Sequence, residues 1–406
     1  MFPLVNDLPE NSQDKVWRVA LVLLSVFLFI SPFPHTQTIG DICFYTSFLV
    51  ALHFSCRGWM RFEKHVLWTA LLLYGGWCLF SSVFALDPYH SFVAFYAHFI
   101  KYLFLTVMLI GFFGSRQGVV TLAWVVVVSG GIFSFVSMVY FYGVLGNDFS
   151  VRLGSGLARW PINPMGFVIL FSLALVLPLY LDTKFQLLRI LLIFLAGILG
   201  VAAILTQSRG TMIGLVLMLS ISFWRYKKIL AGGLLLVIVF AFSTTPVISR
   251  FAQEDKPRKA LILYAIEVIK DHPVFGIGFS LDTFKDPKQI DPAKYVARIP
   301  ESYRNVVPFL WPHNMFLDVA VRTGLVGVLL YSVFFGLMFV ELFRLLRHAS
   351  ERFTLDCAVA LLAALSMFLV KGVVEPVTMH SVEVVFYTIL SMVLILIKLQ
   401  NEAKKK

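Results

Sequence analysis

Long apolar stretches recur along almost the whole chain, and most are close to the length that crosses a lipid bilayer. A transmembrane helix needs about 20 mostly apolar residues, with a range of roughly 17–25. The predicted spans cover residues 17–34, 37–56, 66–86, 92–113, 119–143, 166–181, 190–206, 211–224, 229–245, 316–343, 357–371 and 383–399. Only 14% of the residues are charged, against roughly a quarter in soluble domains. The sequence therefore predicts an all-α, polytopic membrane protein with about 12 transmembrane helices.

Lysine and arginine are distributed unevenly between the two sets of loops that join these spans. One set of loops and chain ends carries 18 of the 34 Lys and Arg residues, whereas the short loops on the opposite side carry 5. Cytoplasmic loops of membrane proteins are enriched in these residues. We therefore expect both termini to be cytoplasmic. The predicted organisation is spans one to nine in residues 1–245, one large external loop at 246–314, and spans ten to twelve with a basic cytoplasmic tail in 315–406.

The external loop contains a predicted amphipathic helix within the stretch EDKPRKALILYAIEVIKDHP. Asp255 is a suitable N-cap and Pro257 suits the first turn. Leu261, Tyr264, Ala265, Val268 and Ile269 share one face of this helix. It should end before Pro273, and FGIGF after it predicts a tight turn. An amphipathic helix between two spans is typical of the membrane surface, where we expect this one to lie.

Several kinds of site are not indicated by the sequence. The four cysteines fall in or at the ends of apolar runs, so neither a disulfide framework nor a cysteine metal site is predicted. The chain has no HExxH motif, no P-loop and no GxSxG motif around Ser208. We expect no metal, no cofactor and no nucleic-acid partner.

Arginines gather on the predicted external side. The five that lie in short loops or at helix ends are Arg152, Arg159, Arg209, Arg258 and Arg322. A guanidinium group binds phosphate oxygens as a rigid fork and stays charged at all physiological pH values. As a group, these residues predict a site for an anion.

Each arginine also has a plainer interpretation. Arg209, in TQSRGT between the seventh and eighth spans, fits a snorkelling side chain at a helix end. Arg258 fits a partner of Glu254 or an anchor to lipid phosphate, and Arg152 and Arg159 fit solvated loop charges. Arg322 either lines a cavity or anchors a tilted helix end. Arg209 is placed against the charge bias of the loops, which favours a functional role because charge at membrane depth is costly.

The stretch FLWPHNMFLDVAVRTGLVG puts His313 and Asn314 at the start of the tenth span. Asn314 is a good N-cap for that helix. In the plainer interpretation, His313 is an interfacial histidine packed beside Trp311. Histidine titrates near neutral pH and is the commonest general base, and we favour that role for His313.

Three motifs in this order resemble the O-antigen ligase and polymerase family: TQSRGT, an arginine-started helix ending in DHPVFGIGF, and HNMFLDVAVRTGLVG. The resemblance covers about residues 150–345. Arg209 and Ser208 correspond to the family's S-R element, Arg258 to the arginine before its DHPxFGxG segment, and His313 with Asn314 to its H-N element. Gly324 and Gly327 match the glycines that follow, which we expect to allow close helix packing.

The loop after the fifth span resembles the family more loosely. Arg152 and Asn163 match its R…NP element, although INPMG departs from the more usual asparagine-rich form. The resemblance implies a GT-C-like, multi-pass enzyme of the bacterial inner membrane with a periplasmic active site. Such a ligase moves a glycan from undecaprenyl pyrophosphate to the lipid A–core oligosaccharide without metal, so its expected partners are these two substrates and membrane lipids.

Elementary chemistry agrees with what the resemblance implies. Pyrophosphate is a good leaving group, arginines can neutralise the charge that develops on it, and one positioned histidine can take the acceptor's proton. The absence of a carboxylate pair argues against double displacement, so we expect inversion. Two alternatives remain: an O-antigen polymerase that uses the same donor, and a transporter or flippase of a lipid-linked anionic glycan. The single large external loop favours the ligase, and the absence of midplane charges and inverted repeats disfavours the transporter.

Overall fold

The structure, a computed structural model, describes residues 12–57, 64–154, 162–224, 232–233, 255–280, 282–306, 312–375 and 377–405. Within these ranges the chain is helical and has no β-strand. The helices are α1 Ser12–Ile30, α2 Gln37–Cys56, α3 Val66–Val83, α4 Pro88–Phe95, α5 Lys101–Phe113, α6 Arg116–Met138, α7 Ile162–Asp182, α8 Gln186–Leu205, α9 Arg209–Ser222, α10 Lys256–Asp271, α11 Pro292–Val296, α12 Glu301–Arg304, α13 Met315–His348, α14 Arg352–Gly372 and α15 His380–Lys405. Two π-helical segments are Tyr96–Ile100, which joins α4 to α5, and Val139–Val144, which continues α6.

The predicted spans correspond closely to these helices, which confirms an all-α membrane protein. Nine helical stretches among the described residues are long and apolar enough to cross a membrane, and α9 is a shorter apolar helix. The predicted span 229–245 lies outside the described residues except for 232–233. The total of twelve spans therefore stays a prediction.

The last helix, α15, lies in the middle of the bundle. Of the residues in its most apolar stretch, 89% are buried. The helix packs against α5, α7, α13 and α14. In contrast, large apolar side chains are exposed on outer helices, such as Leu187 and Leu329. This division between a buried centre and an apolar periphery is expected of a chain surrounded by lipid.

Helix α10 forms where the sequence predicts it, with Asp255 as the N-cap and an end before Pro273. Most of its predicted apolar face, including Leu261 and Tyr264, is buried against side chains from residues 277–296 and against Val321 of α13, and Ile269 is partly buried. The expectation that α10 lies on the membrane surface through this face is therefore wrong, because protein covers the face that lipid was expected to cover. The segment 255–306, called the loop segment below, is thus packed onto the bundle.

The C-terminal end of α10 is fixed by charge. Asp271 pairs with Arg298 and with Lys294 of α11, both at 2.7 Å. Hydrogen bonds from Arg298 and Lys294 hold the pKa of the Asp271 carboxyl well below its usual range. These contacts tie the end of α10 to the last part of the loop segment.

Helix α13 is interrupted at Gly324, where φ is 71° and ψ is −176°. This backbone conformation is essentially restricted to glycine. The break releases carbonyl oxygens from the helix, and those of Val321 and Arg322 accept hydrogen bonds from the N–H groups of Ile277 (2.8 Å) and Gly278 (3.1 Å). Gly324 therefore lies at a helix break and permits close approach to the backbone of residues 274–275. The helix-packing role expected from the sequence stays a prediction.

The chain that docks at this break is the DHPVFGIGF motif. Its turn lies at residues 273–275, slightly before the FGIGF stretch predicted to form it. The N–H group of Leu325 donates to the carbonyl of Pro273 at 2.8 Å, and the indole N–H of Trp77 donates to the carbonyl of Thr323 at 2.8 Å. A Cβ on Gly276 would lie 2.5 Å from backbone atoms of α13. The glycines of the motif thus permit backbone to approach backbone.

We expect Gly324→Ala to lower the midpoint of thermal unfolding of the purified protein by several degrees. The added Cβ would lie 1.9 Å from the carbonyl oxygen of Val274, and the backbone conformation alone costs an alanine about 1–3 kcal/mol. Intrinsic tryptophan fluorescence during heating in detergent measures the change. The control is Gly336→Ala on the same helix, where nothing lies within 4 Å of the added Cβ. Equal midpoints for the two variants would contradict the break.

Candidate active site

Arg209 is the first residue of α9, directly after a turn that joins α8 to α9. Ser208 is the N-cap of α9, and its hydroxyl accepts a hydrogen bond from the N–H of Thr211 at 3.4 Å. Ser208 is buried, so its contribution is to hold the start of the helix. The helix N-terminus also adds partial positive charge next to the Arg209 guanidinium.

The loop after α6 is fastened to the same turn. Arg152 donates from Nε to the carbonyl of Thr206 at 3.1 Å, and the N–H of Leu153 donates to the carbonyl of Leu205 at 2.9 Å. Gln207 adopts a φ of 49°, which is uncommon for a non-glycine residue, and its side-chain amide donates to carbonyls of this loop. The side chain of Arg152 is thus hydrogen-bonded to the turn that directly precedes Arg209.

Two predicted site residues are not placed by these contacts. Arg159 lies outside the described residues, and Asn163 lies in the first turn of α7 with only its backbone described. Their predicted roles stay predictions.

Asp255 connects two of the predicted arginines. Its Oδ2 lies 3.3 Å from Nη2 of Arg209 and 3.7 Å from Nε of Arg258. Its Oδ1 accepts from the N–H of Arg258 at 3.3 Å, as the N-cap of α10. The start of the loop segment is therefore brought to the start of α9, and both guanidinium groups are about one third exposed or less.

Glu375, after the end of α14, connects Arg258 to His313. Its Oε1 lies 3.7 Å from Nη2 of Arg258, and its Oε2 lies 3.9 Å from Nδ1 of His313. Both Oε2 and Nδ1 are buried and have no hydrogen-bond partner among the described residues. A small side-chain rotation would join them, and carboxylate–imidazole contacts of this kind are often long before substrate binds. Glu375 is therefore positioned to orient the imidazole ring.

Lys371 is fully buried one helical turn before Glu375. Its ammonium group donates to the hydroxyl of Thr211 at 3.1 Å and lies 4.9 Å from the ring centre of Phe167. A Cβ on Gly166 would come within 3.0 Å of this ammonium group. The glycine therefore makes room for a cation that reaches α9 beside Arg209.

Arg322 does not join this cluster. Its guanidinium group donates to the carbonyl of Phe279 (2.9 Å), to Thr378 (2.9 Å) and to Asp318 (3.2 Å), and it lies 3.9 Å above the Phe279 ring. Only 6% of the side chain is exposed. Of the two interpretations left open by the sequence, the structure supports an anchor, which ties the DHPVFGIGF motif to α13 and to the segment before α15.

The remaining residues of the H-N motif have local roles. Asn314 caps α13 as predicted, since its Oδ1 accepts from the N–H groups of Phe316 (2.9 Å) and Leu317 (3.1 Å). A Cβ on Gly327 would lie 1.9 Å from the hydroxyl oxygen of Thr323 on the preceding turn and 3.5 Å from the Trp77 ring of α3. The helix-packing role expected for Gly327 stays a prediction.

The sequence predictions missed three members of the cluster: Asp255 as a partner of arginines, Lys371 and Glu375. Lys371 and Arg322 both lie within helices, α14 and α13 respectively. Lysine at 371 within an apolar run, followed by glutamate four residues later, was the available signal, because ionisable residues in spans are usually functional. The contacts of Glu375 with Arg258 and His313 could not be predicted, because these residues are far apart in the sequence.

The assembled groups form a line in which arginines alternate with carboxylates and which ends at an imidazole: Arg209, Asp255, Arg258, Glu375 and His313. Arg152 and Lys371 are held close to the Arg209 end of this line. Arginine and lysine outnumber the carboxylates, so the site favours an anion. An imidazole next to a carboxylate, together with cations that bind phosphate, provides the groups needed for proton removal during group transfer.

Residues 192–332 match the family model described as O-antigen ligase. The matched region contains Arg209, Arg258, His313 and the break at Gly324. This match, over part of the chain, supports the O-antigen ligase family. No curated protein matches the chain. Lys371 and Glu375 lie beyond the matched region, so their place in the site rests on the contacts above. The match supports a ligase- or polymerase-type function in a multi-pass membrane protein.

We expect Arg322→Lys to lower thermal stability, because an ammonium group cannot keep the contacts to Phe279, Thr378 and Asp318 at the same time. Losing hydrogen bonds to a charged group costs about 1.5–3 kcal/mol each. The midpoint of thermal unfolding in detergent measures the effect. Arg344→Lys, on the same helix with 65% of the side chain exposed, is the matched control. A drop in Arg344→Lys as large as that in Arg322→Lys would argue against the anchor.

Proposed function

We propose that this protein is an O-antigen ligase that transfers a glycan from undecaprenyl pyrophosphate to the lipid A–core oligosaccharide. The observation that carries the proposal is the line of contacts from Arg209 through Asp255, Arg258 and Glu375 to His313. These contacts connect arginines, which are able to bind phosphate, to a histidine that is able to act as a base, and this supports the proposal. The family match supports glycan transfer more than the alternative of a transporter or flippase.

Arg209 and Arg258 bind the pyrophosphate of the donor, with help from Lys371 and the Arg152 and Arg159 loop. Guanidinium groups make paired hydrogen bonds to phosphate oxygens and keep their charge as the bond to the sugar breaks. In the structure Arg209 and Arg258 contact carboxylates, and pyrophosphate takes over part of these contacts on binding. The remaining residues of the predicted site are proposed as supporting rather than reacting groups: Ser208, Asn163, Asn314, Arg322, Gly324 and Gly327.

His313 acts as the general base. The acceptor hydroxyl oxygen bonds to the anomeric carbon, the bond from that carbon to the pyrophosphate oxygen breaks, and the electron pair leaves with undecaprenyl pyrophosphate. The hydroxyl proton passes to Nε2 of His313, while Glu375 faces Nδ1 and stabilises the imidazolium. A single displacement of this kind inverts the configuration at the anomeric carbon.

The reaction is proposed to take place at the periplasmic face of the bacterial inner membrane, with both termini in the cytoplasm. The Lys and Arg bias of the predicted loops supports this orientation. It puts the loop segment, Arg209 and His313 on the side where lipid-linked glycans and the lipid A–core acceptor meet.

We expect His313→Ala to lower the transfer rate by about 10²–10⁴-fold, the usual contribution of a general base. In cells, the lipopolysaccharide would lack O-antigen while lipid-linked polymer accumulates, as seen on gels of extracted glycolipids. His90→Ala, where 63% of the side chain is exposed, is the control and should transfer normally. Shortened chains with single-unit attachment retained would indicate a polymerase instead, and normal lipopolysaccharide would exclude His313 as the base.

We expect Arg209→Lys and Arg258→Lys to raise the KM for the lipid-linked donor about tenfold or more, because lysine keeps the charge but loses the paired hydrogen bonds. Reconstituted protein with purified donor and acceptor gives the measurement. Arg298→Lys, in the same loop segment but paired with Asp271, is the control. An unchanged KM in both site variants would remove the arginines from donor binding.

We expect transfer by the reconstituted protein to be unchanged by EDTA. The proposed cluster supplies positive charge from arginine and lysine, the role that a divalent cation has in many glycosyltransferases. Among the described residues no group of three His, Cys, Asp or Glu side chains is arranged to hold a metal ion. Loss of transfer with EDTA and recovery with Mg²⁺ or Mn²⁺ would contradict metal-independent transfer.

A further inference from the structure

A polar cavity lies apart from the arginine cluster. It has a volume of about 310 Å³ and lies between the α1–α2 connection, the first turns of α2, the π-helical segment 96–100 and the start of α15. Small-molecule sites have volumes of roughly 300–1,000 Å³. The lining residues among those described include none of the arginine-site residues. The cavity is therefore a separate feature that the proposed transfer reaction does not explain.

Charged side chains from different helices meet in this cavity. Lys101 of α5 donates to Asp41 of α2 at 2.7 Å, and Nδ1 of His98 lies 2.8 Å from the Glu383 carboxylate of α15. All four residues line the cavity and lie within apolar spans. Ionisable groups in a membrane span are costly, and they usually mark a site.

Two hydroxyl-bearing pairs complete the polar lining. The hydroxyl of Tyr102 lies 2.7 Å from Nδ1 of His380, and the hydroxyls of Tyr45 and Tyr96 lie 3.3 Å apart. Both pairs join different helices around the cavity. The lining therefore offers hydrogen-bond donors and acceptors side by side.

The backbone around the cavity is unusual at two places. His98 belongs to a five-residue π-helical segment, a rare conformation that occurs frequently at functional sites. His35, in the connection between α1 and α2, has a φ of 60°, which is uncommon for a non-glycine residue. Both irregular segments line the same cavity. Their coincidence indicates that the fold is adapted to form the cavity.

The charges in the cavity distinguish between classes of ligand. The lining has one lysine, Lys101, and two carboxylates, Asp41 and Glu383, whereas cations outnumber carboxylates in the arginine cluster, so a phosphate group is disfavoured in this cavity. An apolar lipid chain would leave these groups without partners, which is unfavourable. Sugar hydroxyls each donate and accept hydrogen bonds, and tyrosine rings add apolar surface with a polar tip. A neutral saccharide matches the lining best.

We propose that this cavity binds a sugar residue of a glycan. The assignment of that sugar to a substrate of the transfer reaction rests on the proposed function, whereas saccharide binding itself does not. Glu375 of the arginine site and His380 and Glu383 of the cavity lie on the same short stretch of chain. The residues that would hold the glycan are therefore close in sequence to Glu375 of the arginine site.

The test is saturation-transfer difference NMR on full-length protein in nanodiscs, with the methyl glycosides of glucose, galactose and N-acetylglucosamine as probes. A second arm uses nanodiscs that contain monoglucosyl diacylglycerol in place of free sugar. We expect saturable binding of at least one probe. Binding only in the second arm would identify a membrane-borne glycolipid as the source, and binding of a free glycoside would identify the sugar alone as sufficient.

The decisive variant is the double substitution Lys101→Met with Asp41→Asn, which removes both charges together and leaves no unpaired ion. We expect binding about tenfold weaker or more, as the loss of charge-assisted hydrogen bonds requires. Gln37→Leu, at an exposed position of the rim, should also weaken binding and keeps the test valid if the double variant fails to fold. Arg116→Met with Asp182→Asn removes an interhelical ion pair elsewhere and is the matched control.

Absence of saturable binding in both arms, or unchanged binding in the cavity variants, would overturn the proposal. The outcome is independent of the transfer reaction, because Arg209→Ala and His313→Ala should bind the probes as the unmodified protein does. Loss of transfer in those two variants with probe binding intact would separate the two sites.

Discussion

The N–H groups of Ile277 and Gly278 donate to carbonyl oxygens that helix α13 releases at Gly324, and this docking connects the parts that carry the candidate active site. Unpaired backbone groups at membrane depth cost several kcal/mol each. The break can therefore persist only while the DHPVFGIGF motif fills it. Because α10 ends at the break and α13 begins with the histidine motif, the same docking fixes Arg258 and His313 relative to each other. Arg322 secures the arrangement from the other side of the motif.

The alternation of arginine and carboxylate in the cluster has a physical consequence before any substrate binds. Several cations close together repel one another, and Asp255 and Glu375 reduce this repulsion while holding the guanidinium groups in place. Arginine held in this way needs little rearrangement to bind phosphate oxygens, which favours binding through preorganisation. Glu375 also contacts His313, so the charge of the donor site and the orientation of the proposed base depend on one carboxylate.

Hydropathy, caps and periodicity predicted much of this fold because they are local properties. The spans, the Asn314 and Asp255 caps and the apolar face of α10 all follow from neighbouring residues. Periodicity identifies the apolar face of α10 but not the residues that cover it, so it could not predict that residues 277–296 bury this face. In the same way, the sequence singled out Arg209, Arg258 and His313, yet Glu375 and Lys371 join them only through tertiary contacts. For Arg322 the residue type left two roles open, and only the positions of Phe279 and Thr378 decide between them.

The docking at Gly324 also bears on how the protein is assembled during synthesis. The motif at residues 271–279 leaves the ribosome before α13 does, so the N–H groups of Ile277 and Gly278 lack their carbonyl partners until that helix has been made and inserted. Arg322 then requires Thr378, which is synthesised later still. The loop segment is therefore not a domain that matures alone. Its final shape depends on the last three helices, and a chain that ends before them would present an incomplete motif to the quality-control machinery of the membrane.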